Sequence, residues 1–353
     1  MSRSLLAALL AAALALTACG DNATEETSTT GGDSEAMTTQ AGEPEETTTT
    51  EASMTTEAME LSDVRLRLNW VIAGNHAPFF LAQSEGYWES CGLNVTINAG
   101  KGSGDTAQLV GTGAEEFGLT DGVSITAGRS QGLPIKSIGV VYQDNPSSLV
   151  SYTDAGITEL SDVEGKTFGA VPGGSPYLLL QALFDENDID TDSIQEVSVA
   201  PPGIAELKTG QVDFITFFGN EAANIDDPDT LNVLFFRDFG LESYGLALAS
   251  SEDYIAENPD QAQCFVDGVR RGFEEAMADP DKALQALYDA NPETEENAAV
   301  HEELLQGAFD FAGDNLLAQS LEKWTATQDF LSEAGVIENP VDPAELFTDE
   351  FSG

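Results

Sequence analysis

Positive charge is scarce in this chain. Thirteen Lys and Arg face 62 Asp and Glu, leaving a formal net charge of -49 over 353 residues. A field of that sign repels phosphate backbones and anionic headgroups, which excludes nucleic acid as a partner; it fits a surface kept hydrated in concentrated salt. Histidine is scarcer still, with only His76 and His301. The three cysteines, Cys19, Cys91 and Cys264, stand at no metal-ligand spacing, so neither a metal nor a cofactor is expected. No nucleophile and base can be paired from the sequence, and no catalytic residue is assigned. The 41% hydrophobic content supports the cores of one large domain or two ordinary ones.

The amino terminus reads as a targeting segment. Residues 1–18 carry Arg3, an apolar run over 5–16 and small residues before Cys19, the pattern of a signal peptide too short to remain as a membrane span. Leu16-Thr17-Ala18-Cys19 resembles the lipobox of bacterial lipoproteins, which implies an exported protein anchored by lipid at Cys19 to the outer face of the cell membrane. Residues 19–61 contain no Lys, Arg or aromatic side chain and are rich in Thr and Glu. Such a segment cannot bury enough apolar surface to offset its ordering entropy, so a disordered tether is expected.

The folded body is organised around residues 64–80, VRLRLNWVIAGNHAPFF. Val64, Leu66 and Leu68 alternate with polar residues as in a half-buried strand, the run breaks at Gly74-Asn75, and a helix is expected over 77–88. Trp70, Asn75 and His76 therefore stand at the carboxyl end of a strand, where open α/β sheets bind ligands. The glycine turn at 100–105 opens another helix and exposes backbone N–H groups at Gly102 and Ser103, though no Gly-Lys-Ser/Thr follows it as a phosphate loop requires. Further strands end at Asp121, Tyr142, and Phe217 with Asn220. A second glycine turn, with Gly173, Gly174, Ser175 and Tyr177, again precedes a helix. Strands and helices alternate in both halves, which argues for mostly parallel sheets. Residues 148–152 and 244–249 are expected to cross between the halves, and four helices over 259–333 are expected to pack on the first.

The stretches LNWVIAGNHAPFFLAQSEGYWESCGLNV, GKGSGDTAQLVGTGAEEFGLTDG, RSQGLPIKSIGVVYQ, DVEGKTFGAVPGG and AELKTGQVDFITFF resemble substrate-binding proteins of ABC importers, in the branch named for thiamine-pyrimidine synthase and similar to nitrate, sulfonate and taurine binders. The resemblance implies a two-lobed α/β type II periplasmic-binding-protein fold, with residues 62–148 and 245–353 in lobe I, 149–244 in lobe II, and two hinge crossings. It implies a monomer that encloses a small molecule and delivers it to a permease, without catalysis. Trp70 followed by Asn-His is similar to binders of hydroxymethylpyrimidine-type thiamine precursors, where an indole stacks on the ring and amide or imidazole groups meet its nitrogens. The alternatives are a related heterocycle such as a flavin or purine-like ring, a sulfonate, taurine or nitrate held by Lys101, Gly102 and Ser103, and a pyrimidine synthase on the same fold, which depends on a cysteine-rich segment this chain lacks. Cys91 and Cys264, an even pair in an exported body, invite a disulfide, and the resemblance places both on lobe I.

Overall fold

The structure is a computed structural model that describes residues 60–171 and 175–352. The signal segment, Cys19, the tether up to residue 59, and Gly173 and Gly174 lie outside the described residues. In chain order the strands are β1 (Ser62–Arg67), β2 (Leu93–Asn98), β3 (Phe117–Asp121), β4 (Ile135–Val140), β5 (Ser147–Tyr152), β6 (Thr167–Ala170), β7 (Gln195–Ser198), β8 (Phe214–Phe218), β9 (Leu231–Phe235) and β10 (Leu246–Ser251). The helices are α1 (Ala77–Ser84), α2 (Ser103–Gly111), α3 (Gly122–Ser130), α4 (Ser175–Glu186), α5 (Ile204–Lys208), α6 (Glu252–Glu257), α7 (Pro259–Ala278), α8 (Pro280–Ala290), α9 (Ala298–Ala312) and α10 (Leu321–Glu333).

The strands form two five-stranded sheets, in the orders β2-β1-β3-β10-β4 and β7-β6-β8-β5-β9. In each, four strands point the same way and one runs against them: β10 lies antiparallel between β3 and β4, and β5 antiparallel between β8 and β9. These two reversed strands are the crossings, since β5 is the first strand of the second sheet and β10 returns the chain to the first. The connecting segments touch where they pass. The Gly245 N–H donates to the Tyr142 carbonyl at 3.0 Å, and a Cβ at 245 would stand 2.4 Å from the Asp144 carbonyl oxygen. Only glycine permits that approach.

The alternation of β1 places Val64 and Leu66 in the first lobe's core, with Phe117 and Leu119 of β3 and Phe265, Val269 and Phe273 of α7. Helix α7 starts with Pro259 in its first turn and presents Ala262, Phe265, Val266, Val269, Phe273 and Ala276 as one buried face. The second lobe's core gathers Leu149, Phe168, Leu180, Leu183, Phe184 and Phe214. Among the described residues, no helix is long and apolar enough to cross a membrane.

Two expectations are corrected. Helix α1 stops at Ser84 rather than running to 88, because Gly86 adopts a left-handed conformation with φ of 66°; Trp88, beyond that turn, is buried against the Phe265 ring. The carboxyl-terminal helices do not all pack on the first lobe. Helices α7 and α8 lie against α1, but Phe330 and Leu331 of α10, with Ile337 after it, enter the core that holds Leu160 and Phe168 of the second lobe, and α9 packs on the turn Gly219–Asn224. The apolar face of α10 is shared between lobes, which helical spacing alone does not reveal.

Cys91 and Cys264 are joined as a disulfide with a Cα–Cα distance of 5.9 Å. It fastens the turn after α1 to α7 across 173 residues of sequence.

Candidate ligand-binding site

The carboxyl end of β1 and its partner loops are fastened before any side chain is considered. The Gly100 N–H donates to the Trp70 carbonyl and the Gly102 N–H to the Asn69 carbonyl, each at 2.8 Å. A Cβ at 100 would stand 1.9 Å from the Leu68 carbonyl oxygen. Gly102, at the start of α2, has φ of 134° and abuts the Trp70 ring. The glycines of this turn thus bring the N-terminus of α2 beside the indole.

A cavity of about 110 Å³ opens between the lobes. The first lobe contributes Asn69, Trp70, Gly102 and Ser103; the second contributes Ser175, Tyr177, Thr216, Phe217 and Glu221 among others. The walls are mostly apolar, and no Lys or Arg is among the described residues that line it. Lys101, expected as an anion donor, is exposed and lines no part of it.

Behind this wall stands a set of polar side chains that hold the liners. His76 is buried; its Nδ1 accepts the Ala73 N–H at 3.3 Å, which leaves the proton on Nε2 to donate to Asn69 Oδ1 at 2.9 Å. Burial pushes the imidazole pKa down to about 3, so the ring is neutral. It fixes the Asn69 amide with its N–H groups left for a ligand. Asp121, fully buried, spends one oxygen on the Ser124 N–H at the start of α3 (2.7 Å) and accepts the Ser175 hydroxyl with the other (2.6 Å). That bond crosses from one lobe to the other.

A second cross-lobe bond holds the only carboxylate among the described lining residues. Asn75 Nδ2 donates to Glu221 Oε1 at 2.8 Å, and the Tyr142 hydroxyl lies in the same cluster with Asn220. Among the described residues no cation lies within ion-pair distance of Glu221, and burial pushes its pKa up to about 7.

Of the residues expected to meet a ligand, Trp70, Gly102, Ser103, Ser175, Tyr177 and Phe217 line the cavity. Asn75, His76, Asp121, Tyr142 and Asn220 do not; they stand one layer back. Asn69 and Glu221 were not singled out by sequence, although each is chain neighbour to a residue that was. Among the described residues, no cluster of His, Cys, Asp and Glu could hold a metal.

The family described as "NMT1/THI5 like" matches residues 73–283, more than half of the chain. The chain belongs to this family. Two NMT1/THI5-like relatives bear different kinds of name. The riboflavin-binding protein RibY of Chloroflexus aurantiacus is 29% identical over 307 residues, 82% of this chain and 86% of that protein. A 4-amino-5-hydroxymethyl-2-methylpyrimidine phosphate synthase of Aspergillus parasiticus is 22% identical over 299 residues, 81% and 86% of the two chains. Among solved structures, the alkanesulfonate-binding protein SsuA of Xanthomonas axonopodis pv. citri, bound to MOPS, superposes with a TM-score of 0.65 at 16% identity, covering 82% of this chain and 99% of that one. That likeness shows the periplasmic-binding-protein fold for this NMT1/THI5-like chain.

Proposed function

We propose that the protein is the exported, lipid-anchored binding component of an ABC importer, and that its lobes close on a small, weakly basic heterocycle of the hydroxymethylpyrimidine type. The observation that carries this reading is the placement, across one cavity, of the Trp70 indole opposite the buried carboxyl of Glu221, which has no counter-charge among the described residues. An indole offers a face to an aromatic ring, and a buried carboxylate offers an acceptor to a ring N–H or an exocyclic amine. The size agrees: drug-sized ligands occupy roughly 300–1,000 Å³, and about 110 Å³ suits a single ring. The permease partner, the anchor at Cys19 and action as a monomer belong to the same reading.

A flavin is the second reading, favoured by the 29% identity to RibY. A sulfonate or nitrate fits less well, since Glu221 would oppose the charge and no described liner is cationic. A carrier role is favoured over catalysis because the histidines and the bridged cysteines are engaged: His76 at both ring nitrogens, His301 by the Gly74 N–H at 2.8 Å, and two cysteines in the disulfide. Gly128-Arg129-Ser130-Gln131-Gly132 has the spacing of a hydrolase nucleophile turn, but Ser130 ends α3 and its hydroxyl donates to the Ala127 carbonyl at 2.8 Å.

Trp70 provides the test. Of the three tryptophans, Trp88 and Trp324 are buried in cores and Trp70 faces the cavity. Trp70→Ala should weaken pyrimidine binding by about 1–2 kcal/mol in calorimetry, while Trp70→Phe keeps most of it. Unchanged affinity in the alanine variant would remove the stacking role.

A further inference from the structure

Among the described residues, Glu221 sits at a seam that supplies no cation and too few partners. It belongs to the turn Gly219–Asn224 of the second lobe, is 5% exposed, and is held by Asn75 of the first lobe. Three amide atoms of the same cluster are buried without a hydrogen-bond partner: Asn75 Oδ1, Asn220 Nδ2 and Asn220 Oδ1.

The groups that face this turn are neutral or committed elsewhere. The Tyr142 hydroxyl stands beside Glu221, and burial and the Glu221 charge both raise its pKa. His76 is neutral, and burial lowers the pKa of His301 on α9. Glu302, Glu303 and Asp310 of α9 are exposed. Strands β8 and β9 bring no ionisable side chain, and Tyr152 of β5 donates to Asp226. Arg237, after β9, stacks on Phe235 and Phe311 and pairs with Asp144 at 3.8 Å. Asp121, held by Ser175 and Ser124, forms the other cross-lobe bond.

We propose that lobe closure is proton-linked through Glu221: the empty closed form takes up a proton on this carboxyl, and a ligand with a basic ring nitrogen or an exocyclic amine stands in for that proton. The inference rests on the closure reading given above. Its physical basis is that separating the lobes breaks the Asn75–Glu221 bond and returns the carboxyl to water, whereas closing them buries it without a counter-charge.

The direction follows from which form holds the proton more tightly. In water the carboxyl titrates near 4.5, and burial raises this to about 7. The proton's contribution to closure is therefore fully present below about pH 4.5, falls as pH rises, and is gone above about pH 7. Over that window the closed-to-open ratio of the empty protein should fall by up to roughly tenfold per pH unit, or about 40-fold between pH 5 and 7. A ligand that donates an N–H to the ionised carboxylate restores closure at pH 8.

The test uses the full chain with Glu186→Cys and Asp281→Cys, exposed sites on the two lobes, carrying pH-insensitive fluorophores. Energy transfer is followed from pH 4.5 to 8.5 at constant salt without ligand, and then with 4-amino-5-hydroxymethyl-2-methylpyrimidine at pH 8. The expected result is a closed population that rises with acidity in the native background and is flat with pH in both Glu221→Gln and Glu221→Ala, each checked for native circular dichroism. Exchange between two distances with no pH dependence overturns the proton linkage and leaves the closure reading intact. A pH dependence that persists in both variants overturns the assignment to Glu221. One fixed distance at every pH, with and without the pyrimidine, overturns the closure reading itself.

Discussion

Glu221→Gln is expected to weaken binding of an aminopyrimidine by about 1.5–3 kcal/mol, roughly 10- to 150-fold, without lowering the unfolding temperature. Glutamine keeps the shape of the side chain and can still accept from Asn75 Nδ2, now 2.8 Å from the carboxylate. What it removes is the charge. In a site with no cation among its described residues, that charge is a cost to the folded, closed protein and a gain only when a ligand donates to it. The two readouts should therefore part: at pH 8, affinity falls while thermal stability holds or rises. If both fall together, Glu221 is a structural residue. If neither moves, the ligand does not meet this carboxyl.

Breaking the disulfide should have the largest effect on stability and almost none on binding. Cys91→Ala with Cys264→Ala removes a cross-link that closes 173 residues of sequence. Loss of a native bridge of this kind typically costs about 2–5 kcal/mol, through the wider conformational freedom of the unfolded chain in the usual account. The bridge joins the turn after α1 to helix α7, and no cavity liner belongs to either segment. Denaturant unfolding should thus show a clear drop in midpoint, with calorimetric affinity for the ligand unchanged. Equal midpoints for the native and double-variant proteins would show that the bridge contributes no stability. A large loss of affinity in the folded variant would show that the first lobe's outer face is coupled to the cleft.

Much of the fold was legible because its signals are local. The alternation of Val64, Leu66 and Leu68, the glycine turn at 100–105, and proline starts at Pro259 and Pro280 each act within a few residues of themselves. The loop from Trp70 to His76 was legible for the same reason: a strand end with an indole, an amide and an imidazole is a local pattern. The roles within it were not. His76 reaches the cavity only through Asn69, a relation set by the fold of the 69–76 loop, and Asp121 acts through Ser175, 54 residues away. Glu221 was invisible for a different reason. In a chain with 62 acidic residues, one more carboxylate carries no signal until the second lobe packs against the first and removes it from water. The division of α10 between two cores was hidden likewise, since spacing identifies an apolar face but not what covers it.

Calorimetric titration of the purified protein at pH 8 tests the central claim most directly, with 4-amino-5-hydroxymethyl-2-methylpyrimidine, riboflavin and an alkanesulfonate in turn. Saturable binding of the pyrimidine, weaker or absent binding of the flavin, and no heat from the sulfonate is the expected result. Tight binding of the sulfonate with no response to either heterocycle would contradict it, because an anion cannot be held against the Glu221 carboxylate in a cavity of this make-up.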